Sequence, residues 1–466
     1  MPEQNARSTD AAVKDAPSDG TGGPQPSFSI TTLGCRANQS DSTQVAALLR
    51  RAGFEQRSWG DPVDVTVVNT CTVTGVADRQ SRQALYRARR ASPHGVVVVV
   101  GCWARLQGAT WEGLEGVVVA SGATPQRMAF EVLAAIGGGV EPDAALMDIR
   151  PTSIQGPLPS ARVPLRIQDG CDQNCAYCAV RLARPKPVSM PSDVVLASLE
   201  DLGEKGTQEV VLTGINLGAW GREQAVTSGP SDLAGLLELI AERTDLPRIR
   251  ISSIEPFDVS DRLLGVMAEH GDRVCAHLHM PLQSGSDQVL RLMRRPYRAE
   301  DYRLVVHRAR ELMPDVCLGA DVIAGLPGAG DEAFESTARM IEELPLSYLH
   351  VFPFSARPGT DAADLAPHVD IHVAKDRAAR LRTLSKKKRL AFYESQVGRV
   401  RDVAMEGRLC RETRLPVGMT DNFIPVRVRQ AVAPTGRKCV EIVEVRDDLV
   451  FGVLRPDHRN VQLESR

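Results

Sequence analysis

Apolar residues recur along this chain in short runs that alternate with stretches of helical period, and the mixture changes twice. Phe28 to Leu33 and Val63 to Val68 read as strands. Five consecutive valines, Val96 to Val100, suit a strand buried on both faces. Between these runs, Ser42 to Arg51 has helical spacing and stops at Gly53, and Asp78 to Arg90 forms a second helix. The pattern predicts a small α/β unit around a mainly parallel sheet. From about residue 162, strand and helix repeat. Leu165–Ile167, Glu209–Thr213, Arg248–Ser252, Ala276–Met280, Cys317–Ile323 and Ser347–Phe352 are the expected strands. Six such units predict a partial (βα)6 barrel rather than a closed eight-fold one. Near the end the pattern becomes all-β. Val400–Met405, Ile424–Arg429, Lys438–Val445 and Leu449–Leu454 are separated by Gly, Pro and Asp turns, as in a small antiparallel β-barrel.

The expected organisation is therefore α/β overall. A disordered tail over 1-26, rich in Pro, Gly, Ser, Asp and Ala, precedes an N-terminal domain over 27-140. A linker over 141-161, a barrel over 162-395 and a terminal barrel over 396-460 follow. A chain of 466 residues exceeds one compact core. With 43% hydrophobic and 24% charged residues, its composition is that of an ordinary globular protein. No apolar run is long enough to cross a bilayer, and residues 1-26 hold no apolar stretch of a secretion signal. The expectation is a cytoplasmic protein with no membrane partner. A formal net charge of −2 argues against a protein basic all over, but leaves room for local basic faces. Three are visible: Arg79, Arg82, Arg87, Arg89 and Arg90; Arg291, Arg294, Arg295 and Arg298; and Arg377, Arg380, Arg382, Lys386, Lys387, Lys388 and Arg389. Each fits either phosphate contact or a solvated helix face.

Ten cysteines change the picture. In a reducing compartment they point to metal ligation or catalysis before disulfides. Cys171, Cys175 and Cys178 form C-x-x-x-C-x-x-C just after the first expected barrel strand. Three thiolates on a 4Fe–4S cluster leave one iron open. That iron can chelate the amino and carboxylate groups of S-adenosyl-L-methionine, whose sulfonium then accepts an electron. This spacing, after the first strand of a βα series, is the radical SAM signature. Zinc is the alternative, but it prefers four ligands in paired C-x-x-C arrangements, and no fourth Cys or His stands at suitable spacing nearby. Cys35, Cys71 and Cys102 each follow closely on an expected strand. Parallel strands converge at their carboxyl ends, so the three thiols have a route to one point. The alternative is three ordinary buried cysteines. Cys275, Cys317, Cys410 and Cys439 are isolated and read as packing residues.

The chain resembles the tRNA methylthiotransferase family from Thr32 to Leu454. The likeness runs through Thr32-Leu-Gly-Cys35-Arg-Ala-Asn38-Gln39, Asn69-Thr-Cys71-Thr-Val-Thr, Val100-Gly-Cys102 and the triad at Cys171. It continues through Leu212 to Gly218, Ser252-Ser-Ile-Glu255-Pro256, His279 to Ser286, Asp321 to Gly328 and His350 to Thr360. The resemblance implies an auxiliary-cluster domain, a radical SAM barrel and a terminal RNA-binding TRAM module. It implies two 4Fe–4S clusters, with Cys35, Cys71 and Cys102 holding one and Cys171, Cys175 and Cys178 the other. Ser253, Glu255, Gln283, Ser284, Asp321 and Gly325 are the cofactor contacts it implies. Glu255 alternatively reads as a helix N-terminal carboxylate, and Gln283 and Ser284 as helix caps.

The implied partners are the tRNA anticodon stem-loop and an electron donor such as flavodoxin or ferredoxin; the sulfur donor is not indicated. The Leu-Gly-Cys-x-x-Asn-Gln block and the Arg248-x-Arg250-x-Ser-Ser-Ile-Glu-Pro run look most like the branch that makes the 2-methylthio derivative of threonylcarbamoyladenosine. An isopentenyladenosine enzyme, a methylthiotransferase for a ribosomal-protein aspartate, and a non-catalytic iron–sulfur or zinc RNA-binding protein are the competing readings. In the implied chemistry, one S-adenosyl-L-methionine methylates sulfur at the first cysteine set. A second is cleaved at the other set, and the resulting radical takes hydrogen from C2 of the adenine. One departure stands out. Where the family usually has Ile-Pro-x-x-Arg-Gly-Arg-x-Arg, this chain has Val180-Arg181-Leu-Ala-Arg184-Pro185-Lys186-Pro187-Val188-Ser189, a stiffer and less basic loop.

Overall fold

Three strands at the front of the chain, β1 (Ser27–Thr32), β3 (Val65–Thr70) and β4 (Val96–Gly101), lie parallel side by side. The short β2 (Glu55–Gln56) and β5 (Val117–Val119) extend the sheet to the order β2-β1-β3-β4-β5. Every residue of β3 is buried, including the polar Thr66, Asn69 and Thr70, as befits the central strand of a parallel sheet. The structure, a computed structural model, describes residues 25–111, 113–122, 124–136, 161–223 and 229–456. Residues 1–24 of the expected tail and 141–160 of the expected linker lie outside the described residues.

Helix α1 (Arg36–Arg51) begins six residues before the expected Ser42. Its first turns carry Asn38, Ser40, Asp41 and Ser42, all buried, so a polar stretch hides a packed face. Helix α2 (Gly75–Ala91) is capped by the Thr74 hydroxyl, which accepts from the Ala77 amide at 3.2 Å. Helix α3 (Cys102–Gln107) leaves β4 through Gly101, and α4 (Pro125–Ala135) packs beside α1.

The barrel has the six expected strands: β6 (Arg162–Arg166), β9 (Glu209–Thr213), β10 (Ile249–Ile251), β11 (His277–His279), β12 (Cys317–Ala324) and β13 (Tyr348–Pro353). All pairings within its two three-stranded sheets are parallel. Bridges Ile249–Val274 and Ser253–His279 join the sheets into one curved wall running from β6 to β13. A small antiparallel pair, β7 (Gln168–Asp169) and β8 (Val188–Ser189), brackets the cysteine loop. Helix α1 lies against the edge strand β6, where the Arg166 amide donates to Ser40 Oγ at 3.1 Å and its guanidinium meets Asp41 at 2.8 Å.

The terminal barrel is closed in the order β14-β15-β16-β18-β17: β14 (Val400–Leu409), β15 (Pro416–Thr420), β16 (Pro425–Val428), β17 (Arg437–Arg446) and β18 (Leu449–Leu454). It differs from the expectation in two ways. Strand β15, with its Pro and Gly, is additional, and β16 pairs with β18 in parallel while the other neighbours are antiparallel. Closure of five strands needs that one parallel seam. Arg248 and Arg250 dock this barrel. Arg248 donates to the carbonyls of Asp402 and Met419, and Arg250 to those of Thr420 and Asp421, at 2.8 to 3.0 Å. Both also hold the fully buried Glu209. Among the described residues, no helix is long and apolar enough to cross a membrane.

Candidate functional site

Cys71 follows β3 directly, Cys102 opens α3 after β4, and Cys35 caps the start of α1 after β1. The three strands are adjacent and in register, so the cysteines share one end of the sheet. Two glycines permit the approach. A Cβ on Gly34 (φ +95°) would stand 2.7 Å from the Cys71 sulfur, and one on Gly101 (φ +94°) would stand 2.5 Å from the Thr70 carbonyl. The Asn38 and Asn69 amides tie the loops together, with Asn38 Nδ2 donating to the Leu33 and Thr70 carbonyls and Asn69 Nδ2 to that of Asn38. Burial pushes the Cys71 thiol up to about 12, and the neighbouring Cys35 and Cys102 add to the rise. Such thiols keep their protons until a metal takes the place of the proton.

The second set lies in the loop after β7. Burial again dominates: it pushes Cys171 up to about 12 and raises Cys178. The buried Arg295 guanidinium donates to Cys175 Sγ at 3.2 Å and pairs with Glu255. A cation against the sulfur is what a thiolate ligand calls for. The sequence pattern groups Arg295 with surface arginines; the structure buries it, so it leaves that basic face. Among the described residues, the one group of three ligand atoms all within 4.8 Å of one another is His279, Asp321 and His350. Each cysteine set offers three sulfur donors, the number that holds a 4Fe–4S cluster with one iron left open, whereas a structural zinc takes four ligands.

A cavity of about 650 Å³ joins the two sets. Cys35 and Cys71 line one side, Tyr177, Cys178 and Ala179 another, and the inner faces of β9 to β13 the rest, with Phe423 of the terminal barrel. Ser253, Gln283 and Asp321 line it. Gln283 has φ 61°, and its buried side-chain Oε1 has no hydrogen-bond partner among the described residues. Glu255 precedes a 3-10 turn but makes no cap bond; its carboxyl is raised by burial against the pull of Arg295. Ser284 bonds Thr337 Oγ1 at 3.1 Å and the Ser286 amide, and does not line the cavity. Gly325 (φ +83°) also lies outside the lining, where a Cβ would stand 2.5 Å from Ala374.

Asp321 holds two histidines. His279 Nε2 lies 2.8 Å and His350 Nδ1 3.2 Å from its Oδ1. Burial pushes that carboxyl up, but the two imidazoles outweigh it and hold it well below the usual range. Tyr348 Oη bridges His277 and His279 at 2.9 and 3.0 Å. These histidines stand inside sequence blocks already singled out, but nothing in their spacing reveals the cluster, because β11, β12 and β13 bring it together.

The departing loop also resolves. Arg184 is buried, donating to Asp41 of α1 at 2.8 Å and to Asp169 at 2.6 Å. Its carbonyl accepts from the Cys171 amide. It is a strut between the two cysteine sets, while Lys186 is exposed. On the last long helix (Ile371–Glu394), Arg377, Arg380 and Lys386 are ion-paired and Arg382 and Lys388 bond carbonyls. That row is mostly a self-paired helix face. On α2, Arg79, Arg82 and Arg90 are exposed, without an ion pair among the described residues.

Residues 165–341 match the radical SAM superfamily, and residues 27–120 match the family described as Uncharacterized protein family UPF0004. The chain is 33% identical over 404 residues to Threonylcarbamoyladenosine tRNA methylthiotransferase MtaB of Bacillus subtilis, covering 85% of this chain and 88% of that one. It is also 33% identical over 402 residues to the MtaB of Aquifex aeolicus, covering 85% and 95%. It is 32% identical over 388 residues to tRNA-2-methylthio-N(6)-dimethylallyladenosine synthase of Novosphingobium aromaticivorans, covering 82% and 87%. Among solved structures, the radical S-adenosylmethionine methyltransferase TsrM from Kitasatospora setae shares the fold, with TM-score 0.52, 14% identity and coverage of 73% of this chain and 77% of that one.

Proposed function

This chain belongs to the radical SAM tRNA methylthiotransferases, and from that premise we propose that it adds a methylthio group to C2 of N6-threonylcarbamoyladenosine beside the anticodon. The coarser activity, methylthiolation of tRNA with two 4Fe–4S clusters and S-adenosyl-L-methionine, comes with the family. The observation that carries the reading is the single cavity lined by cysteines of both sets. The substrate assignment draws on the MtaB relatives; the dimethylallyladenosine synthase at 32% identity is the competitor.

In this reading Cys171, Cys175 and Cys178 hold one cluster and Cys35, Cys71 and Cys102 the other, within domains close to 27-140, 162-395 and 396-460. When bound, the first cluster supplies the electron that cleaves S-adenosyl-L-methionine and the second carries the sulfur to be transferred. The chain's own residues do the rest. Arg295 steadies Cys175 and neutralises charge beside it. Ser253 and Gln283 offer polar contacts to the cofactor from the cavity wall, and Glu255 fixes Arg295 from behind. The backbone from Asp321 passes the adenine. The apolar lining, Val73, Ile323, Phe352 and Phe354, keeps water from a base drawn out of the anticodon stack. A flavodoxin- or ferredoxin-like electron donor and a cytoplasmic location complete the proposal.

The test is the nucleoside content of tRNA from a deletion strain. The expected result is loss of 2-methylthio-N6-threonylcarbamoyladenosine, with the unmethylthiolated nucleoside in its place. Unchanged tRNA nucleosides, or loss of the isopentenyl derivative instead, would overturn the assignment.

A further inference from the structure

Among the residues lining the cavity, Arg36, Arg250 and Asp321 carry formal charge, cysteine thiols aside. Arg250 is consumed by Glu209 and two carbonyls, and Asp321 by His279 and His350. Arg36 is different. It follows Cys35 directly, stands in the first turn of α1, and makes no ion pair, hydrogen bond or ring contact with any described residue. Nearby acid does not compensate it: Glu209 is already shared by Arg162, Arg248 and Arg250. Arg36 is half-buried in the cavity wall. A guanidinium half-withdrawn from water without an acid is costly unless an anion arrives.

We propose that Arg36 is a specificity residue that receives the carboxylate on the N6 substituent of the substrate adenosine. This deepens the proposed function and rests on it. The chemistry of the base makes the placement natural. C6, which bears N6, is separated from C2 only by the ring nitrogen N1, so an acidic group hung on N6 lies close to the reacting carbon. C2 must stand near the sulfur held by the Cys35 set, and Arg36 is the next residue. An isopentenyl group offers no charge and leaves Arg36 unpaired, so the same residue discriminates against it.

The experiment uses the full chain with both clusters reconstituted without oxygen, and two synthetic anticodon stem-loops. One carries threonylcarbamoyladenosine; the other carries the same nucleoside with its carboxylate converted to the neutral primary amide. The wild type is expected to lose about 10- to 100-fold in kcat/KM on the amide, the scale of one charge-assisted hydrogen bond. Arg36→Gln is expected to lose a similar factor on the acid and to treat acid and amide alike, and Arg36→Lys to recover part of the preference. A wild type indifferent to the amide, or an Arg36→Gln enzyme that still prefers the acid, would overturn the proposal. A wild type that ignores both stem-loops but modifies an isopentenyladenosine stem-loop would instead fail the substrate assignment, and this inference with it.

Discussion

At the scale of single residues, the N-terminal site depends on room as well as on the Asn38 and Asn69 amide bonds. Gly34 has a left-handed φ and sits against the Cys71 side chain with no space for a methyl group. Gly34→Ala adds strain of about 1 to 3 kcal/mol and pushes the loops carrying Cys35 and Cys71 apart. We expect it to lose about four of about eight irons and all sulfur transfer, while the barrel cluster still cleaves S-adenosyl-L-methionine to 5′-deoxyadenosine. Iron and sulfide counts beside that product assay check it; full iron content in the variant would contradict it. The six cysteines stand out in the sequence as candidates because of their spacing and position after strands, and the structure brings Cys35, Cys71 and Cys178 to one cavity. Arg295 and Arg36 do not stand out, since an arginine at a sulfur, one in a cavity wall and one on a surface read alike until the fold places them.

At the scale of elements, buried ion pairs decide how the three parts meet. Glu209, at the start of β9, accepts from Arg162, Arg248 and Arg250, and all three arginines also grip the terminal barrel, Arg162 through Glu406 of β14. Burial pushes the Glu209 carboxyl up, but the three guanidinium groups outweigh it and hold it well below its usual value. A depressed carboxyl contributes stability that is complete above its unfolded pKa, about 4.3, and is lost as pH falls through the folded value. Glu209→Gln should therefore destabilise the chain near neutral pH by about 3 to 5 kcal/mol and flatten its acid limb. Urea midpoints across a pH series read both effects; parallel acid limbs for wild type and variant would contradict the account. The Arg248-x-Arg250 run, a mark of family resemblance in the sequence, turns out to be this docking clamp. The barrel strands were legible because each is a short apolar run between helical stretches. Strand β15 was not, because Pro416 and Gly418 interrupt it, and the start of α1 was not, because its buried face is polar.

At the scale of the molecule, the N-terminal sheet, barrel and terminal barrel surround one cavity, and RNA must reach it from outside. The net charge of −2 leaves the approach to local patches. The exposed arginines of α2, beside the half-exposed Tyr86, are better placed for phosphates than the self-paired row on the last long helix. Reversing Arg82 and Arg90 to Glu should weaken tRNA binding and lower the slope of log affinity against log salt by about 1 to 2. Binding titrations from low to moderate salt measure it, and an unchanged slope would remove α2 from the interface. The central claim is simpler: the barrel cysteines hold a cluster whose open iron takes the sulfonium cofactor. Electron paramagnetic resonance of the reduced, oxygen-free chain tests it most directly, with Cys35, Cys71 and Cys102 all changed to Ala so that only the barrel site remains. The expected result is a 4Fe–4S signal that shifts on adding S-adenosyl-L-methionine; a protein that holds zinc instead, or a signal indifferent to the cofactor, would contradict it.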